Sequence, residues 1–131
     1  MCIKATDKNI RKMVQEGIEK YGYNADLNYI DTSKITDMGK LFCYECFNGD
    51  ISRWDVHNVV NMSKMFYNSN FNQDISLWDI HNVKDMYCMF SYSIFNRDIS
   101  KWDVSGVYDM ECMFIESLFN QDIGRWDIVT G

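Results

Sequence analysis

From about residue 23 onwards, the hydrophobic positions of the chain recur with a period of 24 residues. One phenylalanine and one tryptophan mark each repeat: Phe47, Phe71, Phe95 and Phe119, and Trp54, Trp78, Trp102 and Trp126. Such a period is typical of architectures in which each unit buries its apolar face against its neighbours. The sequence therefore predicts one domain over residues 1–131. Its segments are a capping helix (1–22), a degenerate repeat (23–46), three full repeats (47–70, 71–94, 95–118) and a half repeat (119–131).

Each repeat divides into two halves with different patterns. The first half, as in Asp74-Ile75-Ser76, alternates polar and apolar residues and predicts a short strand. The second half has apolar residues at the spacing of one helical face and predicts a short helix or 3₁₀ turn. An N-cap residue precedes each predicted turn: Asp37, Asn61, Asp85 and Asp109. The combination predicts an α/β repeat, a right-handed leucine-rich-repeat-like solenoid of about 4.5 coils with parallel strands ~4.8 Å apart.

Residues 6–22 predict one amphipathic helix outside the repeat pattern. Thr6 or Asp7 is the expected N-cap, and Gly22 stands at the expected C-terminal end. We expect this helix to cover the apolar edge of the first repeat, as terminal units of repeat proteins do. Its polar face mixes both charges, which argues against a membrane-surface helix. Its apolar face comprises Ile10, Met13, Val14, Ile18 and Tyr21.

Composition and charge exclude several classes of partner. The chain has 131 residues, 47% of them hydrophobic, which is enough for one packed core. Its net charge is −6, and no basic stripe suited to nucleic acid is present. The N-terminus shows no apolar run of a signal peptide, and no stretch approaches the ~18 apolar residues of a membrane span. We therefore expect a cytoplasmic protein that binds neither nucleic acid nor membrane.

The repeat unit resembles a known family. Its pattern is Phe-Asn-x-Asp-Ile-Ser-x-Trp-Asp-(Val/Ile)-x-x-Val-x-(Asn/Asp)-Met-x-x-Met-Phe, and it extends over about residues 26–128. This unit resembles the BspA-like leucine-rich-repeat family, whose repeats also occur in mycoplasma lipoproteins and have long been described as of unknown function. The resemblance implies a solenoid and, in secreted members, adhesion to host or matrix proteins. This chain departs from those members because Cys2 follows Met1 without the apolar segment of a lipoprotein signal.

Two rows of aspartate follow the same period. Stacked carboxylates ~4.8 Å apart repel by roughly 3.5 kcal/mol at an effective dielectric of 20. We expect backbone N–H groups in turns to relieve this repulsion, with bound cations or solvation as alternatives. A glycine-rich calcium loop is missing, which favours the turns. The first row is Asp26, Asp50, Asp74, Asp98 and Asp122, and the second is Asp31, Asp55, Asp79, Asp103 and Asp127.

Three residue pairs carry candidate chemistry. Cys43 and Cys46 form a C-x-x-C without a second such pair or a nearby histidine, so structural thiols are expected rather than a zinc or redox site. Cys88 and Cys112 share one repeat position and should stack on adjacent repeats; they could oxidise to a disulfide, but in a reducing compartment we expect free thiols. The remaining pair, His57 and His81, also shares a register, but no nucleophile accompanies it.

These patterns predict no enzyme, no metal site and no cofactor. They leave a non-enzymatic protein–protein interaction scaffold with an unidentified protein partner as the expected function. Specificity should lie in the positions that vary between repeats. One such row is Gly49, Gln73, Arg97 and Gln121, and the other is Arg53, Leu77, Lys101 and Arg125. Four tyrosines are further candidates: Tyr67, Tyr87, Tyr92 and Tyr108.

Two alternative functions remain open from the sequence. One is an acidic mimic whose aspartate rows imitate phosphates and occupy a nucleic-acid-binding protein. The other is a metal protein or enzyme that uses the histidine pair or the C-x-x-C cysteines. The half repeat also predicts an apolar edge at Trp126 and Ile128, which an end-to-end homodimer would close.

Overall fold

The computed structural model describes residues 2–126, and within this range it contains one helix and two short strands. Strand β1 is Ile3–Lys4, helix α1 is Ile10–Tyr21, and strand β2 is Ile30–Asp31. The two strands pair in parallel, with Ile3 opposite Ile30 and Lys4 opposite Asp31. The rest of the described chain consists of turns and loops. No helix within residues 2–126 has the length and apolar content needed to cross a membrane.

The prediction of a right-handed leucine-rich-repeat-like solenoid of about 4.5 coils is wrong. The second half of each repeat is not helical, because it contains residues with positive φ, whereas a right-handed helix requires negative φ throughout. In the full repeats the first half forms no strand, because a turn begins two residues after its aspartate. The positive-φ residues have φ between +51° and +61° and recur at two positions in each repeat: Lys40, Lys64, Cys88 and Cys112, and Tyr44, Asn68, Tyr92 and Glu116.

The 24-residue period instead produces a stack of turn-rich layers joined by backbone hydrogen bonds. Within one layer, the N–H of Met65 donates to the carbonyl of Met62 at 3.2 Å, which closes a turn. The N–H of Met62 itself donates to Asp85 of the next layer at 2.9 Å. The N–H of Lys64 likewise donates to Tyr87 at 2.8 Å. Alternate N–H groups therefore close turns and join layers, and the residues that would cap predicted helices form parallel bridges: Asp37, Asn61, Asp85 and Asp109.

The positive φ of Glu116 provides a test of this backbone conformation. Its side chain is exposed, and φ is +53°. Because a Cβ atom disfavours the left-handed region, we expect Glu116→Gly to raise the free energy of unfolding by about 0.5–1 kcal/mol. Glu116→Ala keeps the Cβ atom and is the matched control, for which no gain is expected. Urea denaturation measures both variants, and equal effects would argue against the left-handed conformation.

The core of the stack contains two columns of phenylalanine rings. Phe66 lies between the equivalent rings Phe42 and Phe90, with centroids 5.6 and 5.5 Å away and nearly parallel planes. A second column, which includes Phe71, runs beside the first, and the Phe66 and Phe71 centroids are 4.5 Å apart. All four of these rings are fully buried. The aromatic positions of the repeat are therefore occupied by packing between layers.

The tryptophan of each repeat adds a hydrogen bond to this core. The indole N–H of Trp78 donates to the carbonyl oxygen of Ile51, in the preceding layer, at 3.1 Å. Buried indole N–H groups need an acceptor, and here the preceding turn supplies it. The other three tryptophans repeat the contact at 2.9–3.0 Å: Trp54 with Leu27, Trp102 with Ile75, and Trp126 with Ile99.

Helix α1 packs on the first layer through Ile10, Val14 and Ile18, which are buried. Gly17 allows this close approach, because a Cβ atom there would lie 2.6 Å from a methyl group of Leu27. The helix begins at Ile10, four residues later than the predicted start at residue 6, and its N-cap residue is Asn9 rather than the predicted Thr6 or Asp7.

Asp7 contacts the first layer instead of capping the helix. Its carboxylate accepts the backbone N–H of Thr36 at 2.8 Å and the Thr36 hydroxyl at 2.6 Å. In the next layer, the equivalent N–H, that of Val60, donates to the carbonyl oxygen of Thr36 at 2.8 Å. Asp7 therefore takes the place of a carbonyl group from a preceding layer. Arg11 does the converse, since its guanidinium donates to the carbonyls of Gly39 and Lys40.

Candidate interaction surface

The first aspartate row forms turns. Asp50 accepts the backbone N–H of Ser52 at 2.9 Å and the Ser52 hydroxyl at 2.7 Å. These side-chain and backbone hydrogen bonds, together with one from Asn28, hold the pKa of Asp50 below its ordinary value. The same backbone contact, two residues along the chain, measures 2.8–2.9 Å in the other members of the row: Asp26, Asp74, Asp98 and Asp122.

The second aspartate row has the same geometry. In two of its turns the residue two positions after the aspartate is a histidine. Nδ1 of His57 lies 2.5 Å from Asp55, and Nδ1 of His81 lies 2.7 Å from Asp79. In the next layer Ser105 takes this position and donates its hydroxyl to its own aspartate at 2.6 Å. Because serine makes the equivalent contact, the histidines take part in the same local turns rather than in a separate constellation. Asp127 lies outside the described residues.

Three residues of the first variable row bind the neighbouring backbone. The side chains of Gln73, Arg97 and Gln121 each donate to the carbonyl of an asparagine in the preceding layer, at 3.0–3.3 Å. In the earliest layer Gly49 holds this position, and a Cβ atom there would lie 1.9 Å from the Ala25 carbonyl oxygen. These side chains are therefore tied to the stack itself, which leaves them less free to contact a partner.

The second variable row is exposed along the stack. We call Arg53, Leu77, Lys101 and Arg125 the basic row; all four side chains are exposed, and Leu77 is 84% exposed. The row lies beside the aspartates. Hydrogen bonds from Ser100 are the main cause of the lowered pKa of Asp98, and nearby Lys101 and Arg125 lower it further. The basic side chains thus partly neutralise the aspartate row.

An asparagine column joins the layers beside these rows and was missed by the sequence reasoning. The side-chain oxygen of Asn48 accepts the backbone N–H of Asn72 at 2.7 Å. Asn72 accepts that of Asn96 at 2.9 Å, and Asn96 accepts that of Asn120 at 2.8 Å. The signal was available, since asparagine follows the first phenylalanine in every full repeat.

One face of the stack exposes a continuous apolar surface, which we call the tyrosine strip. It consists of Tyr44, Tyr67, Tyr92, Ile94, Ile115 and Leu118. The ring of Tyr67 lies between those of Tyr44 and Tyr92, with centroid distances of 5.5 and 5.7 Å and edge-on packing. Tyr44 is 68% exposed and Leu118 is 65% exposed.

Backbone hydrogen bonds hold the aliphatic part of the strip against the tyrosines. The N–H of Tyr92 donates to the carbonyl of Ile115 at 2.9 Å. Leu118 occupies the same repeat position as Ile94 in the next layer, and its N–H donates to Ser93 at 3.1 Å. The sequence singled out Tyr67 and Tyr92 but missed the other members, because the strip alternates between neighbouring repeat positions rather than following one.

The other two tyrosine candidates are not members of the strip. Tyr108 is 77% exposed, and its N–H donates to Lys84 in the preceding layer at 2.9 Å. Tyr87 is half-buried, and the Lys64 ammonium lies 5.9 Å from its ring centroid and 5.2 Å from that of Tyr67. Lys64 therefore separates Tyr87 from the strip.

The C-terminal edge of the described stack is less covered than its middle. Phe114 and Phe119 are half-buried, whereas the equivalent Phe90 and Phe95 are fully buried. Trp126 is buried through its contact with the preceding layer. Ile128 lies outside the described residues. The homodimer through this edge stays a prediction.

The cysteines form no disulfide, and each of the five is free. Cys43 is half-buried, which raises the pKa of its thiol, and Cys46 is exposed. Cys88 and Cys112 lie on adjacent layers, which a hydrogen bond from the N–H of Cys88 to the carbonyl of Glu111 joins at 2.9 Å. Within residues 2–126, no group of three histidine, cysteine, aspartate or glutamate side chains is arranged to hold a metal ion.

Comparison with known proteins places the chain in a family. Residues 8–126 match the model of a family described as "Mycoplasma protein of unknown function, DUF285". The chain belongs to this family. The match confirms that the chain belongs to a mycoplasma-type repeat family. It does not extend to the finer resemblance to BspA-like leucine-rich repeats. No curated protein and no solved structure matches the chain.

The DUF285 match contains both variable rows, the tyrosine strip and the stacked cysteines. It begins within the N-terminal segment, before α1, and ends at Trp126. The tyrosine strip, at residues 44–118, and the stacked cysteines both lie inside it. These features therefore belong to the family domain rather than to an appended segment.

Proposed function

We propose that this DUF285 domain is a non-enzymatic protein-interaction module and that the tyrosine strip is its contact surface. The observation that carries the proposal is the run of exposed tyrosine and aliphatic side chains across adjacent layers. Contiguous apolar exposure of this kind marks interaction surfaces in soluble proteins. The partner is an unidentified protein.

The composition of the strip supports a protein partner. Tyrosine is enriched among the residues that dominate binding energy, because its ring buries a large area while its hydroxyl forms hydrogen bonds. Burial and the neighbouring Tyr44 hydroxyl raise the pKa of Tyr67, which keeps its hydroxyl available as a hydrogen-bond donor. Backbone hydrogen bonds between layers fix the spacing of the rings, so little conformational entropy is lost on binding.

The aspartate rows support an acidic mimic less well. One carboxylate oxygen of each residue in the first row accepts the N–H of its own turn. Arginine and lysine side chains also lie beside these carboxylates and lower their pKa through their charge. Phosphate imitation would require free and uncompensated negative charge.

Two finer assignments form part of the proposal. The repeat unit keeps its resemblance to BspA-like repeats at the level of sequence, although the leucine-rich fold is wrong. We place the protein in the cytoplasm, because five free cysteines suit a reducing compartment. Partners should therefore be sought among intracellular proteins.

A double variant of the strip tests the contact surface. We expect Tyr92→Asn with Leu118→Ser to reduce partner binding at least ~10-fold, since truncating central hot-spot residues costs more than 1 kcal/mol each. Asparagine suits position 92 because it tolerates positive φ, which is +56° there. The measurement is affinity capture from the native host with quantitative mass spectrometry, followed by titration of the captured partner.

The matched control changes the same number of exposed side chains in the basic row, as Leu77→Ser with Lys101→Ser. We expect this variant to bind as the wild type does. If the basic-row variant loses the partner while the strip variant keeps it, the strip is not the contact surface. Circular dichroism of both variants establishes that each one is folded.

A further inference from the structure

Cys88 and Cys112 hold the same repeat position in adjacent layers. The N–H of Cys88 donates to the carbonyl of Glu111 at 2.9 Å, which joins the two layers next to the cysteines. Both residues have positive φ, +53° and +61°. Because their backbone conformations match, their Cα–Cβ bonds point in the same direction from neighbouring layers. The two side chains accordingly lie next to each other on adjacent layers.

This arrangement suits a disulfide bond. Disulfides join residues whose Cα atoms are about 4.4–6.8 Å apart and whose Cβ atoms approach each other. Chain segments paired by parallel backbone hydrogen bonds lie about 4.8 Å apart, which is within that range. The hydroxyl of Ser91 also donates to the carbonyl oxygen of Cys112 and holds that backbone in place. The layer spacing therefore brings the two Cα atoms within the range that a disulfide joins.

The two cysteines differ in their access to solvent. Cys88 is only 6% exposed. Cys112 is only partly buried, so a dissolved reagent meets it first. Burial, the neighbouring Cys88 and the nearby acidic groups raise the pKa of Cys112, so its reactive thiolate becomes more abundant as the pH rises into the alkaline range. The accessible sulfur of Cys112 therefore suits the first step, reaction with a dissolved disulfide. The buried sulfur of Cys88 suits the second step, attack on Cys112.

We propose that Cys88 and Cys112 form a thiol–disulfide exchange site that takes small disulfides such as oxidised glutathione. The Cys112 thiolate attacks one sulfur of the reagent, forms a mixed disulfide and releases one thiolate, which takes up a proton. Cys88 then loses its proton and attacks the Cys112 sulfur, which releases the second thiol. The protein dithiol gives up two electrons and two protons, and the small disulfide is reduced to two thiols.

The position in the repeat makes this pair specific. The equivalent residues of the earlier layers are Lys40 and Lys64, so within residues 2–126 only Cys88 and Cys112 place two thiols in one register. The site is independent of the proposed interaction function. It predicts one defined cross-link rather than a mixture of pairings.

Mass spectrometry after reaction with oxidised glutathione tests the assignment. The reaction is carried out at about pH 8.5, where thiolates are populated. After digestion, we expect the wild type to yield a linked pair of peptides containing Cys88 and Cys112, lighter by two hydrogen atoms than the two free peptides together. Cys88→Ser should retain one glutathionyl group on Cys112, because the second step is removed. Cys112→Ser should leave Cys88 unmodified, because Cys88 is buried.

A shifted pair provides the matched control. Lys64→Cys with Cys112→Ser moves the pair by one layer and should give a cross-link between residues 64 and 88. Oxidised wild type should also melt about 5–10 °C higher than the reduced protein, since the bond closes a loop across one repeat. Links distributed over Cys2, Cys43 and Cys46, or glutathione on Cys88 in Cys112→Ser, would overturn the proposal.

Discussion

Phe66→Ala is expected to lower the free energy of unfolding by about 4 kcal/mol. The ring is fully buried and stacks on Phe42 and Phe90, with centroids 5.6 and 5.5 Å away. Its centroid also lies 4.5 Å from that of Phe71 and 6.5 Å from that of Trp78. Truncation opens a cavity between three layers that cannot collapse, because the backbone hydrogen bonds on either side fix the spacing. Since small domains are stable by about 5–15 kcal/mol, the variant should be close to unfolding.

Phe114, the half-buried ring at the end of the same column, provides the control for Phe66→Ala. Phe114 stacks on Phe90 at 5.8 Å, but no further ring of this column lies beyond it among the described residues. We expect Phe114→Ala to cost about 2 kcal/mol, because less area leaves water on folding. Urea denaturation followed by tryptophan fluorescence measures both variants. Equal losses would show that the column does not carry the stability of the stack.

Asp7→Asn is expected to lower the free energy of unfolding by about 2 kcal/mol. The carboxylate accepts hydrogen bonds from the N–H and hydroxyl of Thr36 and from the N–H of Asp37, at 2.8, 2.6 and 3.3 Å. An amide offers one acceptor oxygen in place of two and loses the charge that strengthens these bonds. The first layer should therefore separate from the N-terminal segment in this variant.

The contribution of Asp7 should also depend on pH. Burial tends to raise its pKa, but hydrogen bonds from Thr36 and Asp37 outweigh burial and lower it. A lowered pKa in the folded state means that the stabilisation is present above the ordinary value of about 3.9 and is lost as the pH falls through the folded value. Between pH 6 and about pH 2, wild type should lose more stability than Asp7→Asn does.

A double-mutant cycle isolates the Asp7 contact. Thr36→Val removes the hydroxyl and keeps the backbone N–H, so the coupling between positions 7 and 36 measures the side-chain hydrogen bond alone. We expect a coupling of about 1 kcal/mol at pH 7 and a smaller one at pH 2. If the coupling is the same at both pH values, the charge of Asp7 is not what holds the first layer.

Part of this structure followed directly from the sequence. The 24-residue period and the aromatic core positions were predictable, because identical residues recur where identical neighbours must be contacted. Phe66 and Trp78 are buried as their repeat positions indicate. The charged residues of the turns were also recognisable, since aspartate two residues before a serine is a common turn pattern.

The backbone of the second half-repeat was not predictable from the apolar pattern. Successive turns place Met62, Met65 and Phe66 at the same spacing as one face of a helix. The signal that separates the two conformations is a positive φ, which usually falls on glycine. Here the residues with positive φ include Lys64 and Cys88, and their residue types give no indication of that conformation.

The surface posed a different difficulty for prediction. The sequence rows were chosen by exact repeat position, which identified Arg97 and Gln121. Their side chains are bonded to the neighbouring layer. The tyrosine strip crosses from one repeat position to the next, so Tyr44 and Leu118 are brought together only by the stacking itself.

The asparagine column has a consequence for how a gene of this kind can change. Asn48, Asn72, Asn96 and Asn120 make the same contact at the three junctions that join them, so each of these junctions is interchangeable with the next. An in-frame duplication or loss of one whole repeat leaves every junction intact. Any other length change misaligns all the contacts beyond it at once. Recombination can therefore lengthen or shorten the tyrosine strip in units of one layer. Selection can then act on the length of the strip while the contacts within each layer stay the same.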